Sequence, residues 1–386
     1  MKQNTNINPT NIKFLNLIES NNLIELDLSY NNLVDLNNLK NVNLIQLKKL
    51  FLAFNKISDI NFLEKVNFNQ LEVLELGFNK ISDIKVLEKA NFSHLKKLKL
   101  NDNNITDINI LKKVNFKEIE VFDLNNNKIS DINVLQDVKF YKLKTLILYG
   151  NKISDIKVLE RVNFNILNEL YLNFNYIKDI NVLKNIKFNQ LKSLFLGGKV
   201  ENINVLTKFN FNELKYLHLG FNNIININIL DKVDFNHLQY LYLNDNKISD
   251  INVLKNINFK EIEVLDLNNN KISDINILQN VNFYKLKRLI LYRNNITDIK
   301  VLERVNFNLL NELNLSFNKI YDISVLEKIN FSEIKALNLS YNKITDIKVL
   351  VKLDLNQLKK LKLNDNNIDT NKNKPLIEKL RLAGII

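Results

Sequence analysis

The chain has 386 residues, with 54 basic against 42 acidic side chains and a formal net charge of +12. It contains no cysteine, which excludes disulfides, thiol catalysis and cysteine-held metals. Its two prolines lie near the ends, there is no Gly/Ser-rich linker, and no apolar run is long enough to cross a membrane.

At the start, Met1-Lys2-Gln3-Asn4 lacks the basic-then-apolar pattern of a leader, so a cytoplasmic setting is expected. A leader removed from the sequence would instead make the protein secreted or surface-exposed. Asn8-Pro9-Thr10 reads as a helix start with Pro near the first turn. Ile12, Leu15 and Ile18 fall in register with Leu36, Leu39 and Val42 further on. Residues 1–22 are therefore expected to form an N-terminal helical cap, with the helix over 9–20.

From residue 23 to 368 one pattern returns about fifteen times with a period of 24. Its most regular mark is an asparagine: Asn31, Asn55, Asn79, Asn103, Asn127, Asn151 and Asn175, then Asn222, Asn246, Asn270, Asn294, Asn318, Asn342 and Asn366. Each closes the frame L-x-x-L-x-L-x-x-N-x-I/L. In Leu47–Gln70, alternation turns Leu50 and Leu52 inward and Lys49, Phe51 and Ala53 outward, as in a short strand. Asn55 is expected inside the coil, its amide satisfying turn groups that would otherwise be unpaired. Ile57 re-enters the core, and Ser58 and Asp59 are placed to cap a short helix with Ile60, Leu63 and Val66 inward. Phe68 closes the unit and recurs to Phe331 as an aromatic spine. One repeat, at Gly197-Gly198-Lys199-Val200, has 23 residues and should carry a local notch beside Phe195. Residues 96–180 also match 239–323 at an offset of 143, so a six-repeat block has been copied as a unit. After Ile368 the frame fails, and Pro375–Leu382 reads as a capping helix within a C-terminal cap over 369–386.

This frame and period resemble the leucine-rich repeat. Leu50-Phe51-Leu52-Ala53-Phe54-Asn55-Lys56-Ile57-Ser58-Asp59-Ile60 is similar to the repeat class shared by phosphatase-1 leucine-rich regulatory subunits and bacterial internalins. The resemblance implies an α/β solenoid, a horseshoe or arc with a parallel concave β-sheet and short helices on the convex side. It further implies a protein that binds other proteins on the concave sheet and has no enzyme activity. The resemblance stops at the repeat: the units here end in V-x-F-x-x-L, and neither the secretion signal and wall anchor of internalins nor a recognisable phosphatase-regulator end cap is visible in these residues.

Chemistry finds little support. His94, His218 and His237 fall at two different repeat positions and cannot cluster, and no nucleophile elbow, P-loop, Rossmann fingerprint or H-E-x-x-H is present. A carboxylate ladder, Asp59 to Asp179 and Asp250 to Asp346, could hold Ca²⁺ between coils, but one carboxylate per repeat falls short of the six or more oxygens required. Helix capping explains it better. No catalytic residue, cofactor or metal is expected. The lysines recur beside Glu and Asp on the rims, so a solvated face is favoured over a phosphate-binding stripe and nucleic acid is not an expected partner.

The outward strand positions are polar early (Asp27, Glu75, Lys99, Asp123) and late (Asn314, Asn338, Lys362). Between them they turn aromatic and apolar: Ile147, Tyr149, Tyr171, Phe195, Tyr216, His218, Tyr240 and Tyr242. These eight are the candidate partner-binding residues, and Phe174 and Phe221 could extend them. A monomeric, non-enzymatic scaffold or regulatory subunit is the expected function. An internalin-like adhesion or host-interaction protein is the second reading. A binder of nucleic acid or acidic surfaces through the basic charge is the third, with steep salt dependence as its mark.

Overall fold

A computed structural model describes residues 22–209, 211–353, 357–369, 371 and 373–382. The helix expected over 9–20 lies outside the described residues. The chain forms two compact units, Met1–Leu191 and Lys192–Ile386.

Each unit is a run of near-identical coils. The first carries seven three-residue strands, from Glu25–Asp27 to Glu169–Tyr171, and the second eight, from Ser193–Phe195 to Lys360–Lys362. Within each unit neighbouring strands are parallel, and the register follows the repeat: Leu50 faces Leu74, and Leu217 faces Leu241. The strands are short because only the central L-x-L alternates; the following ladder asparagine turns the chain away. Inward leucines such as Leu50, Leu52, Leu217 and Leu219 are fully buried. The spine from Phe68 to Phe331 is buried too, with successive rings stacked at 6.3–6.4 Å as in Phe116–Phe140 and Phe211–Phe235.

The asparagine ladder does what a buried amide must. Asn127 Nδ2 donates to the carbonyls of Leu100 (2.9 Å) and Leu124 (3.1 Å), while its Oδ1 accepts the Ile105 amide N–H at 2.9 Å. Asn79 and Asn270 repeat the pattern. Thus each asparagine fastens its own turn to the turn before it.

Opposite the strands the expected short helices are single 3₁₀ turns of four or five residues, such as Asn109–Lys113 and Asn252–Asn256. The one α-helical segment among these described turns is Phe62–Lys65. Returning to the next strand within 24 residues leaves no room for a longer α-helix, and the tighter 3₁₀ turn suits so short a piece. The ladder aspartates act one position earlier than an N-cap. Asp83 Oδ1 accepts the Lys85 N–H at 2.8 Å and Asp107 Oδ1 that of Asn109 at 2.8 Å, an Asx turn leading into each helical turn. In the short repeat the residue that is missing is the ladder asparagine itself. The next one, Asn222, still accepts from Val200 N and donates to the Leu196 carbonyl. Gly198 absorbs the shortening at φ +147°, and strand Ser193–Phe195 keeps full register with Tyr216–His218. The notch is confined to the turn. At the C-terminal end Lys374–Leu382 is an α-helix with Leu376 buried.

Candidate functional site

With leucines filling the inner face, strand alternation leaves two outward positions per coil. In the second unit the register lines up Phe195, His218, Tyr242, Asp266 and Ile290 along one column. Ser193, Tyr216, Tyr240, Val264 and Arg288 form the other. The rings touch. Phe195 and His218 stack with centroids 5.3 Å apart, His218 and Tyr242 at 5.3 Å, and Tyr216 and Tyr240 lie parallel at 4.3 Å. In the first unit Ile147 faces Tyr171 across a strand pair, and Tyr149 packs edge-on against Phe174 at 5.6 Å. Tyr149 lies past the end of strand Thr145–Ile147, in the turn beside Gly150, so it is a turn residue rather than a strand residue. All eight candidates are half-buried by their neighbours, fixed in place yet open on one side.

The electrostatics of the face follow from that burial. His218 Nδ1 accepts the Gly220 amide N–H at 3.3 Å, and desolvation holds its pKa down to about 4, so the ring is a neutral aromatic platform. Tyr240 is pushed up to about 12, first by desolvation and then by Glu263, which its hydroxyl approaches at 3.5 Å. Burial also raises Asp123 and Asp266, against the hydrogen bonds they receive from Asn125 and Asn268.

A further set of aromatics escapes a reading based on strand alternation. The residue before each ladder asparagine is left-handed, with φ from +49 to +69°, and in several coils it is aromatic. Tyr30, Phe54 and Phe78 stack at 4.3 and 4.1 Å, and Phe317 and Tyr341 at 3.9 Å. All five are exposed, as are Phe174 and Phe221. Bulky side chains in this region are strained, and elsewhere in the ladder the position holds Asp, Asn or Gly, as at Asp102, Asn126 and Gly150, and once Arg293. The signal was present in the sequence: a large ring where a turn favours Gly, Asn or Asp.

The charges pair along the coil direction. Lys96–Glu72 (2.8 Å), Lys144–Glu120 (2.7 Å) and Lys287–Glu263 (2.8 Å) bridge adjacent coils on the strand rim, and Lys113–Glu88 (2.9 Å) does so on the helical side. Surface depressions on the helical side, such as that lined by Asp155, Lys157, Glu160, Asp179 and Lys184, are open to solvent and rimmed by charged side chains. Their aspartates are engaged in Asx turns. Among the described residues no group of His, Cys, Asp or Glu side chains is arranged to hold a metal, and no helix is long and apolar enough to cross a membrane.

Parallel one-turn coils, a leucine-filled inner face and a buried asparagine ladder define a leucine-rich repeat solenoid. The sequence matches the family described as leucine-rich repeats (two copies) over residues 45–89, 93–137 and 236–280, and a single-repeat family over 334–347. The chain is a leucine-rich repeat protein. Among solved structures it is similar to an internalin, InlF, of Listeria monocytogenes, at 25% identity over 88% of this chain and 95% of that one (TM-score 0.70). A leucine-rich repeat protein of Leptospira interrogans shares the fold at 23% identity, covering 97% of each chain (TM-score 0.70). A plant peptide hormone receptor, RGFR1, solved in complex with RGF2, shares it at 18% identity over 90% of this chain and 60% of the receptor (TM-score 0.58). No curated protein matches the chain. The fold is one typical of protein–protein interaction.

Proposed function

We propose that this chain is a non-enzymatic scaffold or regulatory subunit that binds a protein partner on the outward face of its sheet. The observation that carries this reading is the pair of ring stacks on that face, Phe195–His218–Tyr242 and Tyr216–Tyr240. Rings held on a rigid sheet lose little freedom on binding, and Tyr is among the residues enriched at binding hot spots. Ile147, Tyr149 and Tyr171 carry the corresponding apolar surface in the first unit. The receptor solved with its peptide supplies an analogy of fold for such use. A chain without cysteine gains nothing from an oxidising compartment, and the cytoplasm is the setting we assign.

The test begins with a partner recovered by affinity capture on the intact chain and then purified. Replacing Tyr171, Phe195, Tyr216 and Tyr242 together by Ala should weaken its binding at least about 30-fold with the melting temperature nearly unchanged. Equal affinity for parent and variant would move the site elsewhere. The match to an internalin over most of its length favours a second reading, an internalin-like adhesion or host-interaction protein. Protease treatment of intact cells distinguishes the two, because only a surface protein is digested.

A further inference from the structure

The residue before each strand forms one rim of the sheet, and the register sets these residues side by side. In the first unit the signs alternate over the run Lys48, Glu72, Lys96, Glu120 and Lys144. Glu72 N–H donates to the Lys48 carbonyl and Lys96 N–H to the Glu72 carbonyl, both at 2.8 Å, so the three are neighbours. The Glu72 carboxylate takes both cations, Lys48 at 3.5 Å and Lys96 at 2.8 Å, and Glu120 takes Lys144 at 2.7 Å. In the second unit Lys96 corresponds, at the offset of 143, to Gln239, and Glu72, one step outside the copied block, to Lys215. Lys215 N–H donates to the Lys192 carbonyl at 2.9 Å, so two lysines stand side by side. Neither has an ion pair among the described residues. Further along, pairing resumes: Glu263 takes Lys287 at 2.8 Å, Glu312 takes Arg288 at 2.7 Å, and Arg288 also favours the ionised form of Asp266.

The pairing is lost beside the rings. Tyr216 follows Lys215 and Tyr240 follows Gln239, where the first unit has Val73 and Lys97, and Lys97 pairs with Glu75 at 3.3 Å. Like charges on neighbouring strands repel, and the coil does not require them, since Glu72 and Glu120 fill the same place. The sign extends over the face. Counting the two outward strand positions and the rim residue of every coil, the first unit has six basic and seven acidic side chains, the second eight and three. The second face therefore favours a partner that brings negative charge. The rings decide which kind. Their faces are taken up by one another, Tyr216 against Tyr240 at 4.3 Å and His218 between Phe195 and Tyr242. They offer edges and hydroxyls rather than open platforms for nucleic-acid bases. Ring edges suit apolar side chains, and ammonium and phenol groups both donate to carboxylates.

We propose that Lys192, Lys215 and the rings of Tyr216 and Tyr240 receive an acidic segment of the protein partner. Its carboxylates lie against the two ammonium groups and an apolar side chain against the ring edges. The segment thus supplies from outside the negative charge that Glu72 supplies from within in the first unit. A second step of like charge provides the comparison. Lys359 N–H donates to the Lys335 carbonyl at 2.9 Å, but Ala336 and Lys360 follow these lysines, so no ring stands beside them.

This proposal rests on the sheet-face reading, and its test is separable from that one. Fluorescein-labelled Glu-Glu-Glu-Phe-Glu-Glu-Glu is titrated with the full chain and followed by fluorescence anisotropy. Gln-Gln-Gln-Phe-Gln-Gln-Gln and an oligouridine of similar length are titrated alongside. The acidic peptide should bind, and the glutamine peptide at least about tenfold more weakly. Lys215→Glu rebuilds the Lys48–Glu72 pair of the first unit, so it should weaken the acidic peptide about tenfold or more without lowering the melting temperature. Lys359→Glu makes the same change of charge beside Lys335 and should leave affinity within about twofold, because exposed charges that far apart are screened. Equal losses from the two variants would reduce the attraction to net charge and overturn the site. Silence up to about 0.5 mM chain would overturn it too, since a millimolar dissociation constant still registers there. Oligouridine binding as tightly as the acidic peptide would assign the face to nucleic acid instead. Equal binding of the glutamine peptide would overturn the acidic segment while leaving an apolar binding face intact. The sheet-face reading itself fails only if the captured partner ignores the quadruple Ala variant.

Discussion

His218 shows how a single position couples the sheet face to stability. Wedged between Phe195 and Tyr242, it is desolvated, and its Nδ1 is committed as an acceptor to Gly220 N–H. Its pKa of about 4 in the folded chain lies below the ordinary value near 6.5. The unfolded chain therefore binds more protons across that interval, and folding stability falls as pH is lowered from about 6.5 to about 4. Asp123 and Asp266, raised by burial, work in the opposite direction. The effect must be read as a difference. Melting temperatures of the parent and His218→Tyr, followed from pH 7 to pH 4, should diverge, the parent losing more. Parallel curves would mean that His218 is solvated in the folded chain.

At the scale of the turn, the ladder amide makes more hydrogen bonds than any other side chain of its coil. Asn127→Ala leaves the Ile105 N–H without its partner in the core and takes one of two donors from each of the Leu100 and Leu124 carbonyls, which keep Asn103 and Asn151. The cost is about 1–3 kcal/mol, and calorimetry should show a lower melting transition while partner affinity stays at the parent value. Unchanged melting with lost binding would turn the ladder from a structural device into a contact surface. These coils were legible in the sequence because the period repeats each signal many times: leucines by alternation, the phenylalanine spine by recurrence, the asparagine by its fixed place. What was not legible has physical causes. A helical segment of four or five residues gives no periodicity from which to tell 3₁₀ from α, and the Asx turn moves the aspartate one place from the cap position. Of the left-handed aromatics only Phe174 and Phe221 were singled out from the sequence; Tyr30, Phe54, Phe78, Phe317 and Tyr341 were hidden because alternation describes strands, and these rings stand where the strand has already ended.

Across the chain, cohesion is a sum of neighbour terms rather than one central core. The bridging ion pairs are mostly exposed and each contributes about 0–1 kcal/mol, so burial carries the fold and the ends of the run need covering. We expect helix Lys374–Leu382, in which Leu376 is buried, to serve as the C-terminal cover. If it does, deleting residues 374–386 exposes apolar surface of the last coil, and size-exclusion chromatography should show aggregation or a broadened, partly unfolded peak. A monodisperse truncation with the parent's melting temperature would show the helix to be dispensable.

The ladder also has a direction in time. Asn79 fastens the Leu52 carbonyl and the Ile57 amide, groups that left the ribosome at least 22 residues earlier. At about 5–20 residues per second a newly made turn therefore waits one to several seconds for the residue that completes it. In the cell, each coil is sealed by its successor, and one unfinished coil travels at the growing end until the last repeat has been made.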